Sequence, residues 1–198
     1  MKQYSISPDG EKFQLPEPDD YAKEHERLKH IVQEQHKLGR EIVVVMGVGF
    51  VGAVMAAVVA DTEDESGSPT KYVIGMQRPS TRSYWKIPLL NRGVPPVEAE
   101  DPEVEPMIHR CVNEKKCLTA TFTYDALKLA DVVVVDVQCD YLKESLGNVR
   151  NGQTDMNALE NSLELTAEHR APEPLIHIEP TLAPGTTEQV AYPIMRKV

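Results

Sequence analysis

The stretch EIVVVMGVGFVG, from Glu41 to Gly52, decides the fold, because an apolar run ends there in three closely spaced glycines. Gly47, Gly49 and Gly52 match the pattern G-x-G-x-x-G, and the mainly apolar residues 53–61 follow directly. A strand, a glycine turn and a helix in this order are typical of dinucleotide-binding folds, where the turn and the helix N-terminus hold a diphosphate. A glycine turn that simply ends an ordinary strand is the alternative for this motif taken alone.

The segments after the glycine turn alternate between strand-like and helix-like patterns. The clearest is VVVVDV at 132–137, because four consecutive valines are typical of a strand buried on both faces of a parallel sheet. The other predicted strands are 71–76, 117–121 and 175–179, and the predicted helices are 53–61, 101–112, 124–130, 155–169 and 186–195. This alternation predicts an α/β fold: a Rossmann-like, doubly wound, mainly parallel sheet with helices on both faces.

The first 40 residues precede this alternating pattern. Residues 1–18 contain Pro, Gly, Ser and charges without periodicity, so we predict an extended arm. Apolar positions near helical spacing predict a helix over 21–38, capped by Asp19 or Asp20. Packing of this helix on the domain edge is the favoured role, and binding of a partner is the alternative. We therefore expect an arm and a helix over 1–40 and a dinucleotide-binding domain over 41–198.

Composition narrows the class of protein. The length of 198 residues and the hydrophobic content of 41% suit one substantial domain. The net charge of −10 argues against non-specific binding to nucleic acid or to an anionic membrane, since both need basic patches. No apolar run approaches the roughly 20 residues that span a bilayer, and the start is too polar for a secretory signal, so we expect a cytoplasmic protein. Three cysteines without a C-x-x-C pair and six histidines without ligand spacing indicate no metal site.

Four segments, taken in order, resemble the N-terminal part of the nucleotide-sugar 6-dehydrogenases, the UDP-glucose and GDP-mannose dehydrogenase family. They are MGVGFVG at 46–52, LNRGVPPVE at 90–98, TATFTYDALKLADVVVVDV at 119–137 and EPTLAPGTTEQV at 179–190. The first and third segments occur in many dinucleotide-binding folds. The second and fourth are the specific part of the resemblance.

The resemblance implies a function as well as a fold. Members of this family use NAD to oxidise the C6 alcohol of a UDP- or GDP-linked sugar to a carboxylate, in two hydride transfers and through a thioester on a cysteine. That cysteine lies in a later domain within a glycine-rich motif, which this chain does not contain. We therefore expect the cofactor domain of a longer enzyme, ending near a connecting helix, without the catalytic C-terminal domains and inactive alone. The full-length protein is expected to form a homo-oligomer.

The expected cofactor contacts lie where the predicted strands end, since ligands bind at the carboxyl edge of open α/β sheets. Cys139 is interpreted as a contact or structural residue, because nothing near it in sequence would lower its pKa enough for a nucleophile. The complete expected set is Gly47, Val48, Gly49, Phe50, Val51, Gly52, Gln77, Arg78, Arg82, Thr123, Val137, Gln138 and Cys139.

Gln77 stands where cofactor strands usually end in an acidic residue that binds the adenosine ribose hydroxyls. An amide can still hydrogen-bond a hydroxyl, but it does not repel a 2′-phosphate as a carboxylate would. With Arg78 and Arg82 close by in sequence, NADP is therefore an alternative to NAD, which family precedent favours. The two arginines could equally face solvent or contact a substrate phosphate.

The segment EPTLAPGTT supplies the candidate catalytic residues. Thr181 keeps the family's threonine and is expected to contact the ligand after a strand end. Glu179 is a candidate base or water-orienting residue, with an ion pair at the strand end as the equal alternative. His177, inside the predicted strand, is interpreted as a core histidine whose hydrogen bonds are satisfied.

Two other functions use the same glycine turn. A dinucleotide-sensing regulatory module needs no catalytic cysteine, and a dehydrogenase of the 6-phosphogluconate type shares the fold. Neither predicts the segments LNRGVPPVE and EPTLAPGTTEQV, so an enzyme that acts on nucleotide sugars is favoured.

Overall fold

The computed structural model describes residues 2–142 and 153–196 of the chain. The strands are β1 (Tyr4–Ile6), β2 (Lys12–Gln14), β3 (Glu41–Met46), β4 (Lys71–Met76), β5 (Leu118–Thr121), β6 (Val132–Val135), β7 (Asp140–Leu142), β8 (Gln153–Asp155) and β9 (Leu175–Ile178). The α-helices are α1 (Pro18–Lys37), α2 (Phe50–Ala60), α3 (Lys86–Asn91), α4 (Val104–His109), α5 (Asn157–His169) and α6 (Tyr192–Met195). A 3-10 helix spans Tyr124–Leu129, and π-helical turns span Arg110–Glu114 and Thr187–Ala191.

A five-stranded parallel sheet forms the centre of the fold, in the order β5-β4-β3-β6-β9. The chain adds β4 and β5 on one side of β3 and then crosses to add β6 and β9 on the other. The direction of winding therefore reverses between β3 and β6, and the carboxyl ends of these strands flank the crevice where such sheets bind ligands. This topology confirms the predicted Rossmann-like α/β fold.

Apolar layers cover both faces of the sheet, as alternation along β3 shows. Val43 and Val45 pack with α2, α3 and α4 on one face, whereas Ile42, Val44 and Met46 pack with α1, α5 and α6 on the other. Because successive side chains of a strand point to opposite faces, a strand covered on both sides must be apolar throughout. The valine-rich β3 and β6 satisfy this requirement.

The N-terminal segment differs from the prediction of an extended arm over 1–18. Its residues form an antiparallel hairpin of β1 and β2, in which Ser5 pairs with Phe13. The hairpin is attached to the domain, because Ser5 Oγ accepts a hydrogen bond from the N–H of Trp85 at 3.1 Å and Arg92 donates two hydrogen bonds of 2.9 Å to Glu11. Strands of three residues are too short for their alternation to show in the sequence.

The predicted helix over 21–38 is confirmed as α1, which begins earlier, at Pro18, and ends at Lys37. Asp20 lies inside its first turn, and its carboxylate accepts a hydrogen bond from the N–H of Glu17 at 2.9 Å. Leu28 and Val32 are buried in the layer that covers β3. The helix therefore packs on the domain, in agreement with the favoured role.

Other predicted elements shift in extent or kind. The helix predicted over 101–112 is α4 followed by a π-helical turn, and the helix over 124–130 is a 3-10 helix. The sequence did not predict the antiparallel pair of β7 and β8. The sequence NVRNGQ predicts a loop over 148–153, of which 148–152 lie outside the described residues and Gln153 begins β8. Among the described residues, no helix has the length and apolar character needed to cross a membrane.

Candidate functional site

The glycine turn joins β3 to α2 at the carboxyl edge of the sheet. Gly47 has a φ of +97°, a conformation that favours glycine, and a Cβ there would overlap with the backbone oxygen of Asp136. A Cβ at Gly52 would overlap with the backbone oxygen of Gly47 and lie 2.7 Å from Asp136 Oδ2. The first and third glycines are therefore required by packing of the turn against β3 and β6.

No contact within the described part of the chain requires glycine at position 49. Gly49 is the N-cap of α2 with a φ of −80°, and a Cβ built on it meets nothing within 4 Å. The next residues, Phe50 and Val51, are exposed. Because the first N–H groups of a helix have no intrahelical acceptor, this open N-terminus can bind an anion that approaches the backbone closely.

Gln77 contacts the glycine turn directly. Its side-chain oxygen accepts a hydrogen bond of 3.2 Å from the N–H of Val48, whose own side chain is buried. Val48 therefore has neither a free N–H nor an exposed side chain to offer a cofactor. Arg78 and Arg82 are exposed. Both follow β4, as Gln77 does, and lie on the segment that leads to α3.

The ends of β5 and β6 bring further predicted residues to this edge. Thr123 is buried, and its hydroxyl oxygen accepts a hydrogen bond from the N–H of Asp125 at 3.2 Å, which caps the 3-10 helix. Its hydroxyl oxygen therefore has a structural role. The segment after β6 contains Val137, Gln138 and Cys139, and it begins at the carboxyl end of β6, beside the crevice between β3 and β6.

Asp136 is a residue of this edge that the sequence did not single out. It follows β6, donates its N–H to the oxygen of Met46 at 3.0 Å, and its carboxylate accepts the N–H of Gly52. Burial raises the pKa of Asp136 above its ordinary value, and nearby Glu179 raises this pKa further. The signal available in the sequence was a single acidic residue directly after four valines.

Glu179 and Thr181 follow β9, where the sequence predicted catalytic residues. The N–H of Glu179 extends the β6–β9 ladder by donating to Val135 at 3.1 Å, and its Oε2 lies 2.6 Å from Nε2 of His177. The interpretation of His177 as a core histidine is wrong: β9 is an edge strand, and this imidazole is exposed. Thr181 is exposed beyond the end of β9.

The segment LNRG has a structural explanation. Asn91 donates to the oxygen of Ala120 at 3.0 Å and accepts from the N–H of Ala120 at 2.6 Å and from Thr119 Oγ1 at 3.0 Å. Since β5 is an edge strand, Asn91 pairs backbone groups that no neighbouring strand can reach. Gly93 then turns the chain with a φ of +79°.

The segment APGTT also forms a turn before the last helical residues. Gly185 has a φ of +87°, and the hydroxyl of Thr186 donates to the oxygen of Ala183 at 2.7 Å. Gly185 therefore reverses the chain after β9, while Thr186 fixes the turn.

Comparison with protein families finds a match to the model described as UDP-glucose/GDP-mannose dehydrogenase family, NAD binding domain, over residues 41–198. The chain belongs to this family. Its cofactor is accordingly NAD, and the family resemblance drawn from the sequence is confirmed. A comparison with curated proteins finds no match.

Solved structures of nucleotide-sugar dehydrogenases are similar to this family member. An NDP-N-acetyl-D-galactosaminuronic acid dehydrogenase from Methanosarcina mazei Go1 is 28% identical, with a TM-score of 0.68 over 86% of this chain and 33% of that one. A UDP-D-ManNAc dehydrogenase from Pyrococcus horikoshii is 27% identical, with a TM-score of 0.59 over 77% of this chain and 31% of that one. A GDP-mannose dehydrogenase from Pseudomonas aeruginosa is 23% identical, with a TM-score of 0.62 over 78% and 32%, and supports the fold alone. The chain thus spans about a third of the length of each.

Proposed function

We propose that this chain is the cofactor-binding domain of a nucleotide-sugar 6-dehydrogenase that oxidises the C6 alcohol of a UDP- or GDP-linked sugar to a carboxylate. The observation that carries the proposal is Gly49. Its conformation and its empty surroundings give the chain no internal reason for a glycine, whereas a diphosphate that approaches the backbone at the N-terminus of α2 does. The family membership supports the same cofactor.

The residues of the carboxyl edge fit NAD. The N–H groups of Phe50 and Val51, at the start of α2, would donate to the diphosphate, and the amide of Gln77 would contact the adenosine ribose. Arg78 and Arg82 would face the adenosine end, where they could also accommodate the 2′-phosphate of NADP. Val137, Gln138 and Cys139 would line the crevice between β3 and β6 from the β6 side. Thr123, whose hydroxyl oxygen caps the 3-10 helix, would fix the backbone after β5 at the same edge of the sheet. When bound, NAD supplies the hydride acceptor.

Glu179 and Thr181 are the proposed catalytic residues of this domain. A carboxylate that accepts the proton of the sugar hydroxyl makes hydride loss from C6 possible, and Glu179 has a carboxylate at this edge. Thr181 is exposed beyond β9, where its hydroxyl can hydrogen-bond a sugar or cofactor oxygen. The cysteine that the second oxidation requires is proposed to come from a domain beyond these residues, in a full-length homo-oligomer.

Titration with NAD tests the cofactor site, with Gly49→Ala and Gly67→Ala as a matched pair. Gly67 has a φ of +78° on a distant acidic loop, so its alanine variant should be less stable but bind NAD normally. Gly49→Ala should unfold at the wild-type temperature and bind NAD at least about tenfold more weakly, because its methyl group meets only the ligand. Unchanged affinity in Gly49→Ala contradicts the site.

Stoichiometry tests the reaction in the full-length protein. Oxidation of one alcohol to one carboxylate consumes one water and reduces two NAD, so two NADH should form per sugar consumed. A sensor, which is the rival function, would bind NAD and form none. One NADH per sugar would indicate an ordinary alcohol dehydrogenase instead.

A further inference from the structure

Asp136 places a carboxylate at the N-terminus of the helix that faces the diphosphate. Gly52 is the third residue of α2, so its N–H is one of the donors without an intrahelical acceptor. The Asp136 carboxylate lies against this residue, since a Cβ built on Gly52 would be 2.7 Å from Asp136 Oδ2, and hydrogen bonding from the Gly52 backbone lowers the pKa of Asp136. The backbone of Asp136 is fixed by its hydrogen bond to Met46 and by its close packing against Gly47. These contacts hold the backbone of Asp136 beside the glycine turn.

The ionised carboxylate of Asp136 and the diphosphate of a bound cofactor would be two negative charges at the same helix N-terminus. The N-terminus of a helix stabilises negative charge within its first turn, and here part of that stabilisation is already used by a side chain of the protein itself. A diphosphate bound at Gly49 and Phe50 would lie in the same first turn, in a half-buried region where charges are incompletely screened. An ionised Asp136 then opposes the ligand that the helix end attracts.

We infer that Asp136 determines how tightly this domain holds its dinucleotide: the ionised carboxylate weakens binding of the diphosphate, and neutralising it strengthens binding. The inference rests on the proposed cofactor site. The charge of Asp136, and not its hydrogen bond to Gly52, is what changes the affinity. An uncharged isostere would keep that hydrogen bond and remove the repulsion of the diphosphate. Its consequence for the enzyme is faster release of the cofactor between the two hydride transfers.

The test compares NAD dissociation constants for wild type, Asp136→Asn and Asp136→Ser by calorimetric titration. Asp136→Asn keeps a hydrogen-bond acceptor near Gly52 and removes the charge. Asp136→Ser also removes the charge, with a shorter side chain, and serves if the asparagine variant does not fold. Asp9→Asn, on the exposed turn between β1 and β2, removes one charge elsewhere and is the matched control. At about pH 7.5 the Asp136 variants should bind NAD about fivefold more tightly than wild type, and Asp9→Asn should match wild type.

Lowering the pH shows whether the Asp136 substitutions change NAD affinity through the lost charge or through the altered shape of the side chain. The charged group that faces Asp136 is Glu179, which follows β9 and is hydrogen-bonded to His177. Glu179 and His177 are both unchanged in the Asp136 variants. Because the pKa of Asp136 is raised by burial and by Glu179, its carboxylate becomes neutral at a higher pH than an ordinary aspartate, so the wild-type affinity should approach that of Asp136→Asn as the pH is lowered. A ratio of the two affinities that stays constant as the pH is lowered overturns the inference.

The outcomes distinguish this inference from the function on which it rests. If wild type binds NAD and Asp136→Asn binds it equally or more weakly, the inference is wrong and the cofactor site stands. If neither protein binds NAD, both fail. If Asp136→Asn binds NAD where wild type binding is too weak to measure, both are supported.

Discussion

The side-chain oxygen of Gln77 accepts a hydrogen bond of 3.2 Å from the N–H of Val48, so the end of β4 is joined to the glycine turn. A carboxylate at this position would keep that bond with one oxygen and could accept from a ribose hydroxyl with the other. The amide instead presents an NH2 group, which can only donate to a hydroxyl oxygen. Gln77 thus preserves the turn and removes the negative charge that would reject a 2′-phosphate.

The first prediction concerns cofactor selectivity. Gln77→Glu, which keeps the length of the side chain, should raise the preference for NAD over NADP by at least about tenfold, because the new charge repels the 2′-phosphate. Titration of both cofactors into both proteins measures the ratio. Gln33→Glu, an identical change on the exposed face of α1, should leave the ratio unchanged. If the ratio in Gln77→Glu also stays unchanged, Gln77 is not the discriminating residue.

The glycine turn shows why the fold was predictable from sequence. Packing against Asp136 makes Gly47 and Gly52 necessary, and burial on two faces makes β3 and β6 continuously apolar, so each requirement leaves a pattern of residue types. The same reasoning fails for the hairpin of β1 and β2, whose short strands leave no period. It fails again for His177, because an apolar run does not reveal that β9 lies at the sheet edge.

The contacts within the site were less predictable than its position. The hydrogen bond from Gly52 to Asp136 depends on how closely β6 approaches α2, which only the assembled sheet determines. Likewise, Thr123 is near the expected edge, yet its hydroxyl oxygen caps a 3-10 helix through Asp125. Spacing along the chain specifies which strand end a residue follows, but the neighbours that engage its polar atoms come from other strands.

The second prediction treats the LNRG segment as protection of a sheet edge. Asn91→Ala should lower the free energy of unfolding by about 2 kcal/mol, because the buried N–H and oxygen of Ala120 lose their pairing with its side chain. Asn113→Ala removes a single hydrogen bond, to the oxygen of Arg92, and should cost less than about 1 kcal/mol. Urea unfolding of the two variants measures the difference. Equal losses would show that Asn91 contributes nothing through the edge of β5.

The third prediction follows from the carboxylate at the end of α2. Asp61 accepts hydrogen bonds from Arg110 at 2.6 Å and from Lys115 at 2.6 Å. The Arg110 guanidinium, with further help from Lys115, holds the pKa of Asp61 well below its ordinary value. Asp61→Asn should therefore lower the free energy of unfolding at neutral pH by about 2 kcal/mol.

The pH dependence of that loss has a definite sign. Because the pKa of Asp61 is lower in the folded state, the stabilisation is present above the unfolded pKa of about 4 and disappears as the pH falls toward the folded value. Urea midpoints of wild type and Asp61→Asn should converge below about pH 4. Glu65→Gln, in the exposed loop after α2, should follow wild type throughout. A difference that does not change with pH would mean that the asparagine acts through shape.

The last prediction separates two roles of Glu179 in the full-length enzyme. If its carboxylate is the base of the first oxidation, Glu179→Gln should lower kcat by about a hundredfold with a normal unfolding temperature. If it serves only as the partner of His177, 2.6 Å away, then His177→Gln and Glu179→Gln should have similar small effects on kcat. Steady-state kinetics of both variants, with unfolding curves, distinguish these outcomes, because either variant alters the pair of side chains, whereas the carboxylate is lost only in Glu179→Gln.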